Sequence, residues 1–224
     1  MLEALRQDVC WANRMLREYR LVAWTSGNVA GRDADSGLAV VKPSGVLFDD
    51  LTPETMVVVD AEGRTVEGDL RPSVDTATAL HIFRLMPDVH AVAHTHSGYA
   101  SSFAALNKDI PVHLTEHGDA FGVAIPCGGY AQIGGTQIGE EVVRILRRTG
   151  GQCPAVLMRS HGVFTVGRTV RGALKAAVLV EDIARTVHLA LVKGAPIPIP
   201  AAEAQRLYQV YHTRYGQEAG GGFE

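Results

Sequence analysis

Leu2, Leu5, Val9, Ala12, Met15 and Leu16 recur at intervals of one to four residues, which predicts an amphipathic helix over residues 2–18. Shorter apolar runs come next. Leu38 to Lys42 reads as a strand stopped by Pro43-Ser44-Gly45, and Met56 to Asp60 reads as another. Thr65 to Gly68 returns as a strand after the Glu62-Gly63 turn. Asp75 to Met86 carries Leu80, Phe83 and Leu85 as a helix, with Ser73 or Asp75 as its cap and Pro87-Asp88 as its end. His90 to His96 predicts a strand, Tyr99 to Leu106 a helix, and Thr136 to Arg148 a helix stopped by Gly150-Gly151. Ala155 to Arg159 and Val163 to Val166 are short apolar strands flanking Ser160-His161-Gly162. Val170 to Val192 is a long apolar helix closed by Gly194. Proline at 196, 198 and 200 forces an extended connector. Glu203 to His212 is a final helix, and the glycines at 220–222 predict a mobile tail.

Helices and strands interleave, so the class is α/β. The connections are too irregular for a strict βαβ repeat, and the chain lacks both the dinucleotide fingerprint and the phosphate P-loop. With 224 residues and no linker or internal repeat, one domain is expected, spanning 1–217 with 218–224 as a flexible glycine-rich tail. Charge adds an exclusion. The 21 basic and 24 acidic residues sum to -3, which leaves no general electrostatic attraction for nucleic acid. No apolar run reaches the ~20 residues that span a bilayer. The first residues carry acids rather than an apolar signal core. Cys10, Cys127 and Cys153 are too few and too scattered for a disulfide framework or a thiolate zinc site. The resulting expectation is a cytoplasmic protein with no membrane or nucleic-acid partner.

The strongest chemical signal is His94-Thr95-His96. On a strand, side chains alternate faces, so both imidazoles point to one side and can chelate one metal ion. Neutral imidazole suits zinc and other divalent first-row metals. His161 lies between two apolar strands, where a third ligand could project, and Asp75 could add a carboxylate. His-x-His alone is common, so the pair gains its weight from His161. A second group of residues is Thr25-Ser26-Gly27-Asn28, Lys42-Pro43-Ser44-Gly45 and Arg71-Pro72-Ser73. These turns are rich in hydroxyls and backbone N–H groups and can form anion nests suited to a phosphate. Any one of them alone is more often an ordinary turn.

Five ordered motifs carry a resemblance over about Leu2 to Gln217: Thr25-Ser26-Gly27-Asn28-Val29, Lys42-Pro43-Ser44-Gly45-Val46, Arg71-Pro72-Ser73-Val74-Asp75-Thr76, His94-Thr95-His96-Ser97 and Ser160-His161-Gly162. Together they resemble the class II aldolase/adducin family, and within it the pentulose-5-phosphate 4-epimerases. The resemblance implies a three-layer α/β/α sandwich with a largely antiparallel central sheet. It implies a homotetramer with active sites at subunit interfaces, acting on a phosphorylated ketose. It places a divalent ion, Zn2+ or another such as Mn2+ or Co2+, on Asp75, His94, His96 and His161. Substrate contacts fall on Gly27, Asn28, Lys42, Ser44, Gly45 and Ser73. The segment Thr115-Glu116-His117-Gly118-Asp119 places one acid/base role on Asp119, and Arg214-Tyr215-Gly216-Gln217 places the opposing one on Tyr215.

The chain departs from the family pattern at Val74, where the family often has a second phosphate-binding serine. Gly128 to Gly135 is also shorter than in the longer epimerases. The implied reaction converts L-ribulose 5-phosphate to D-xylulose 5-phosphate. Inverting C4, which is not adjacent to a carbonyl, requires breaking and remaking the C3–C4 bond, a retro-aldol route that Lewis-acid catalysis serves. A carboxylate and a phenol suit the two opposed proton transfers. The alternatives are a class II aldolase of the fuculose-phosphate type, for which a Glu at the Asp75 position is usual, a decarboxylase or dehydratase on the same scaffold, and a non-catalytic adducin-like interaction module.

Overall fold

The computed structural model describes residues 1–215. Its eight strands are β1 (Asn28–Arg32), β2 (Ala39–Val41), β3 (Val57–Val59), β4 (Thr65–Glu67), β5 (Ala91–Thr95), β6 (Cys127–Gly128), β7 (Ala155–Met158) and β8 (Gly162–Gly167). They form one sheet in the order β4-β3-β2-β1-β5-β8-β7-β6. Every pairing is antiparallel except the parallel β6–β7 pair at one edge. The helices are α1 (Glu3–Glu18), α2 (Thr76–Leu85), α3 (Gly98–Ala105), α4 (Thr115–Phe121), α5 (Gln137–Arg148), α6 (Val170–Lys193) and α7 (Ala201–Arg214).

Strand alternation decides which helix covers which face. Ala30, Val41, Val57, Val59 and Val92 pack with Ala79, Ile82 and Phe83 of α2 and with Ile138, Val142 and Ile145 of α5. Their chain neighbours Val29, Val40, Val58, Ala91 and Ala93 pack on the other face, with Val9, Ala12 and Leu16 of α1 and Ala173, Leu174 and Ala177 of α6. Farther along that face, α6 meets α3 and α4 through Val180, Ile183, Ala100, Phe103 and Phe121. The result is the expected three-layer α/β/α sandwich. Because both faces are covered, a one-residue slip of any central strand would exchange its two sets of apolar contacts, and this fixes the register. Among the described residues, no helix is long and apolar enough to cross a membrane.

Several elements differ from the pattern-based expectation. Asn28 to Arg32, whose first residue reads as part of a turn, is a central strand. It pairs on both sides, with β2 and with β5, so tertiary pairing overrides its weak local strand preference. α4 has no counterpart in the apolar periodicity. It is short and carries Gly118, and Leu207 of α7 occupies the space where a Cβ at 118 would sit. α7 runs two residues farther at each end than Glu203 to His212. Asp75 holds the cap position of α2, yet its side chain caps nothing. The expected tail 218–224, and Gly216 and Gln217 before it, lie outside the described residues.

α4 also carries an acid-sensitive group. His117 is fully buried, and its Nε2 lies 2.9 Å from the Val123 carbonyl oxygen, to which it donates. Burial pushes its pKa down to about 4, partly offset by that bond, and nearby His113 adds to the depression. The unfolded chain takes up this proton at ~6.5. Between those values the unfolded state binds more protons, so stability is full above pH ~6.5 and falls as pH drops toward 4, by up to about 1.4 kcal/mol per unit. Urea unfolding of the wild type should therefore weaken from pH 7 to pH 5 by up to about 2 kcal/mol more than that of His117→Gln. Equal losses in the two proteins would refute the assignment.

Candidate active site

Three elements converge at one end of the α2-covered face of the sheet. β5 carries His94, which sits opposite Asn28 on one side and Phe164 on the other. His96 lies just beyond the strand, and the turn between β7 and β8 presents His161. One nitrogen from each imidazole forms a group whose members all lie within 4.8 Å of one another. The rings meet edge-on, with His94 to His96 centroids at 4.7 Å and His94 to His161 at 4.8 Å.

His94 is the fixed member of this group. It is 2% exposed, and its ring stacks on Phe164 at 4.1 Å. Its Nδ1 lies 3.0 Å from the Val163 carbonyl oxygen. A carbonyl only accepts, so Nδ1 carries the proton and Nε2 presents a lone pair. The Nε2 atoms of His94 and His96 stand 2.9 Å apart, which makes His96 the donor in that contact. Burial, first among the causes, pushes the His94 pKa down to about 4. Partial desolvation also lowers His96 and His161, while the Asp75 carboxylate pulls all three up. The cluster is therefore neutral at physiological pH, as imidazole ligands must be. Its donor set and the preset tautomer of His94 fit a divalent ion such as zinc.

Asp75 reaches the same place from the start of α2. Its Oδ2 accepts a hydrogen bond from Asn28 Nδ2 at 2.7 Å. The same amide group donates to Ser73 Oγ at 3.3 Å. Asn28 thus ties β1, the Ser73 turn and the carboxylate together, which explains why Asp75 does not cap its own helix. Gly27 makes this closeness possible. Its φ is +86°, and a Cβ there would meet Val22 Cγ1 at 2.6 Å and the His94 carbonyl oxygen at 2.8 Å. Gly162 is equally constrained, since a Cβ would run into the Thr95 carbonyl oxygen.

The two remaining turns are joined by backbone bonds. Ser44 N donates to Arg71 O at 2.8 Å, and Ser73 N donates to Lys42 O at 2.9 Å. This short ladder holds the Ser44 and Ser73 hydroxyls on one rim. Lys42 is 2% exposed, and its Nζ donates to Val46 O at 2.7 Å and to Pro43 O at 3.2 Å, above the Phe48 ring. Burial lowers its pKa to about 8. Two of its three N–H donors are spent on the turn, which leaves one for a ligand.

A cavity of about 350 Å3 collects these groups. Gly27, Asn28, Lys42, Ser44, Gly45, Ser73, Asp75, His94, His96 and His161 all line it. Thr25, Ser26, Pro43 and Val74 line it too, and so does Ile133. No motif in the sequence points to Ile133, which reaches the cavity from the glycine-rich loop before α5. Asp119 and Tyr215 do not line it. They lie on the packed α4–α7 pair: Asp119 faces Arg206 and His212, and Tyr215 ends α7, stacked on Tyr211 at 5.0 Å and 65% exposed. Burial raises the Asp119 pKa, against the opposing pull of Arg206 and His212.

This fold has counterparts among known proteins. Residues 7–188 match the family model described as the class II aldolase and adducin N-terminal domain. An L-fuculose 1-phosphate aldolase structure superposes with a TM-score of 0.84 at 25% identity, over 93% of this chain and 96% of that one. An L-fuculose 1-phosphate aldolase from Glaciozyma antarctica PI12 gives 0.78 at 23% identity, over 92% and 81%. YgbL from Escherichia coli gives 0.75 at 22%, over 92% and 98%. The last two show likeness of fold alone.

Proposed function

The chain belongs to the class II aldolase and adducin family, and from that premise we propose that it is a metal-dependent 4-epimerase of a pentulose 5-phosphate. The observation that carries the reading is the single cavity in which three neutral histidines and Asp75 stand beside two hydroxyl-bearing turns. His94, His96 and His161 would hold the ion, Zn2+ or a similar divalent metal, with Asp75 completing the set. When bound, such an ion supplies Lewis-acid polarisation of the ketose carbonyl and the adjacent hydroxyl.

The chain's own residues do the rest. The Ser44 and Ser73 hydroxyls, the Gly45 amide and the remaining Lys42 N–H anchor the phosphate. Anchoring keeps the aldehyde fragment in place while the C3–C4 bond is broken, so the fragment can turn and present its other face. Asp119 and Tyr215 hold and move the proton at the C4 oxygen, each serving one epimer. Neither lines the cavity of its own chain, yet both ride on the same helix pair. That arrangement suits an oligomer, a homotetramer by the family resemblance, in which the α4–α7 face of one subunit covers the cavity of the next.

A coupled assay for D-xylulose 5-phosphate formed from L-ribulose 5-phosphate tests this reading, with a chelator added in parallel. Turnover that the chelator abolishes is expected. A second reading, an aldolase cleaving a ketose phosphate, is favoured by the L-fuculose 1-phosphate aldolase structure at 25% identity. Bound metal without epimerisation would select that reading or a decarboxylase. A metal-free protein would select an adducin-like interaction module.

A further inference from the structure

The three histidines are not held equally. His94 lies in the β5 ladder and is bonded through Nδ1. His161 sits in a tight hairpin turn whose N–H donates to Met158 O at 3.0 Å. His96 lies past the end of β5 with an exposed side chain, and its imidazole meets the His94 and His161 rings. Its backbone is held from the far side by the start of α3 at Gly98.

That start is unusual. Ser97 is the cap residue of α3, and serine at this place ordinarily accepts from the second or third amide of the helix. It does neither here, and its buried Oγ has no hydrogen-bond partner among the described residues. Glu181 of α6 takes both amides instead. Its Oε1 accepts from Tyr99 N at 2.9 Å and its Oε2 from Ala100 N at 2.8 Å. The carboxylate also lies at the positive end of the α3 dipole. Two charge-assisted bonds thus pin the segment three residues after His96 to a helix more than eighty residues away.

We propose that Glu181 is a positioning residue of the metal centre, capping α3 from α6 so that His96 is held where it can share an ion with His94 and His161. The proposal rests on the metal reading above. It extends outward support of the ligands, which usually acts through the ligand's other ring nitrogen, to the backbone that carries the ligand.

The test is metal binding by the purified full chain, stripped and then titrated with Zn2+ in competition with a chelator, and with Co2+ followed by its visible absorption. Glu181→Ala should weaken Zn2+ binding by about 10- to 100-fold and alter the Co2+ bands. Glu181→Gln, which keeps one good acceptor, should fall between. Ser97 could return to its capping duty in the single variants, so the Ser97→Ala/Glu181→Ala double variant should show the largest loss. Ala184→Gly, a destabilising change on the buried face of α6, should lower Tm and leave the Kd and the Co2+ spectrum unchanged.

Folded Glu181 variants with wild-type Kd and spectrum would overturn the proposal. Should Glu181→Ala fail to fold, Glu181→Gln decides by the same criteria. A wild-type chain that binds neither ion would overturn the metal centre itself, and the proposal with it. Wild-type binding with indifferent variants would sink only the positioning role.

Discussion

His96→Ala should lose bound metal and turnover together while remaining folded. The free energy of a closed four-ligand zinc site, ~10–16 kcal/mol, averages about 3 kcal/mol per ligand, so losing one histidine should weaken binding roughly a hundredfold or more. Activity should fall below detection in metal-limited buffer. His96 is the right member of the triad to remove. Its side chain is exposed and lies outside the β5 ladder, and truncating such a residue usually changes stability by no more than about 0.5 kcal/mol. His94→Ala would confound the result, because His94 is buried against Phe164 and its loss opens a cavity in the sheet. Metal analysis after dialysis, the coupled assay and a thermal melt of the apo-protein read the three quantities separately. Full activity or undiminished metal content in His96→Ala would remove the triad from the mechanism.

The legibility of this site in the sequence depends on distance along the chain. His94 and His96 are readable as a pair because a local rule puts residues two apart in extended chain on one side; the strand itself stops at Thr95, and the two ring nitrogens still meet at 2.9 Å. The helix over Glu3–Glu18 and the strand at Val57–Val59 are readable for the same reason. β1 is not, because its identity as a strand comes from β2 and β5 lying on either side. The two rim turns can be named as turns, but their joining through Ser44 N to Arg71 O and Ser73 N to Lys42 O depends on contacts 27 and 31 residues apart. Asp75 shows the limit most plainly. Position alone makes it a helix cap, and only the fold brings Asn28 close enough to claim its carboxylate. Glu181 leaves no sequence signal at all, since Ser97 already supplies an acceptable cap.

Asp119→Asn and Tyr215→Phe should each lower kcat for epimerisation by about 10²- to 10⁴-fold, the usual contribution of a general acid or base. Metal content should stay at the wild-type level, because neither residue lines the cavity. The placement of both on the α4–α7 pair adds a sharper expectation. Should that face serve the cavity of a neighbouring subunit, His96→Ala and Tyr215→Phe damage different chains of the same site. Mixed one to one and allowed to exchange subunits, the two inactive proteins should form sites with an intact histidine set from one chain and an intact tyrosine from the other. Random pairing gives such sites a share of about one quarter, so about a quarter of wild-type activity should return. Sites built within a single chain would never be repaired by mixing, since every chain carries one lesion. Persistent inactivity after verified exchange would therefore confine the acid/base groups to their own subunit, where Tyr215 is 65% exposed and lies outside the cavity. Tyr215 would then have no route to the substrate, and the aldolase reading would take precedence over the epimerase.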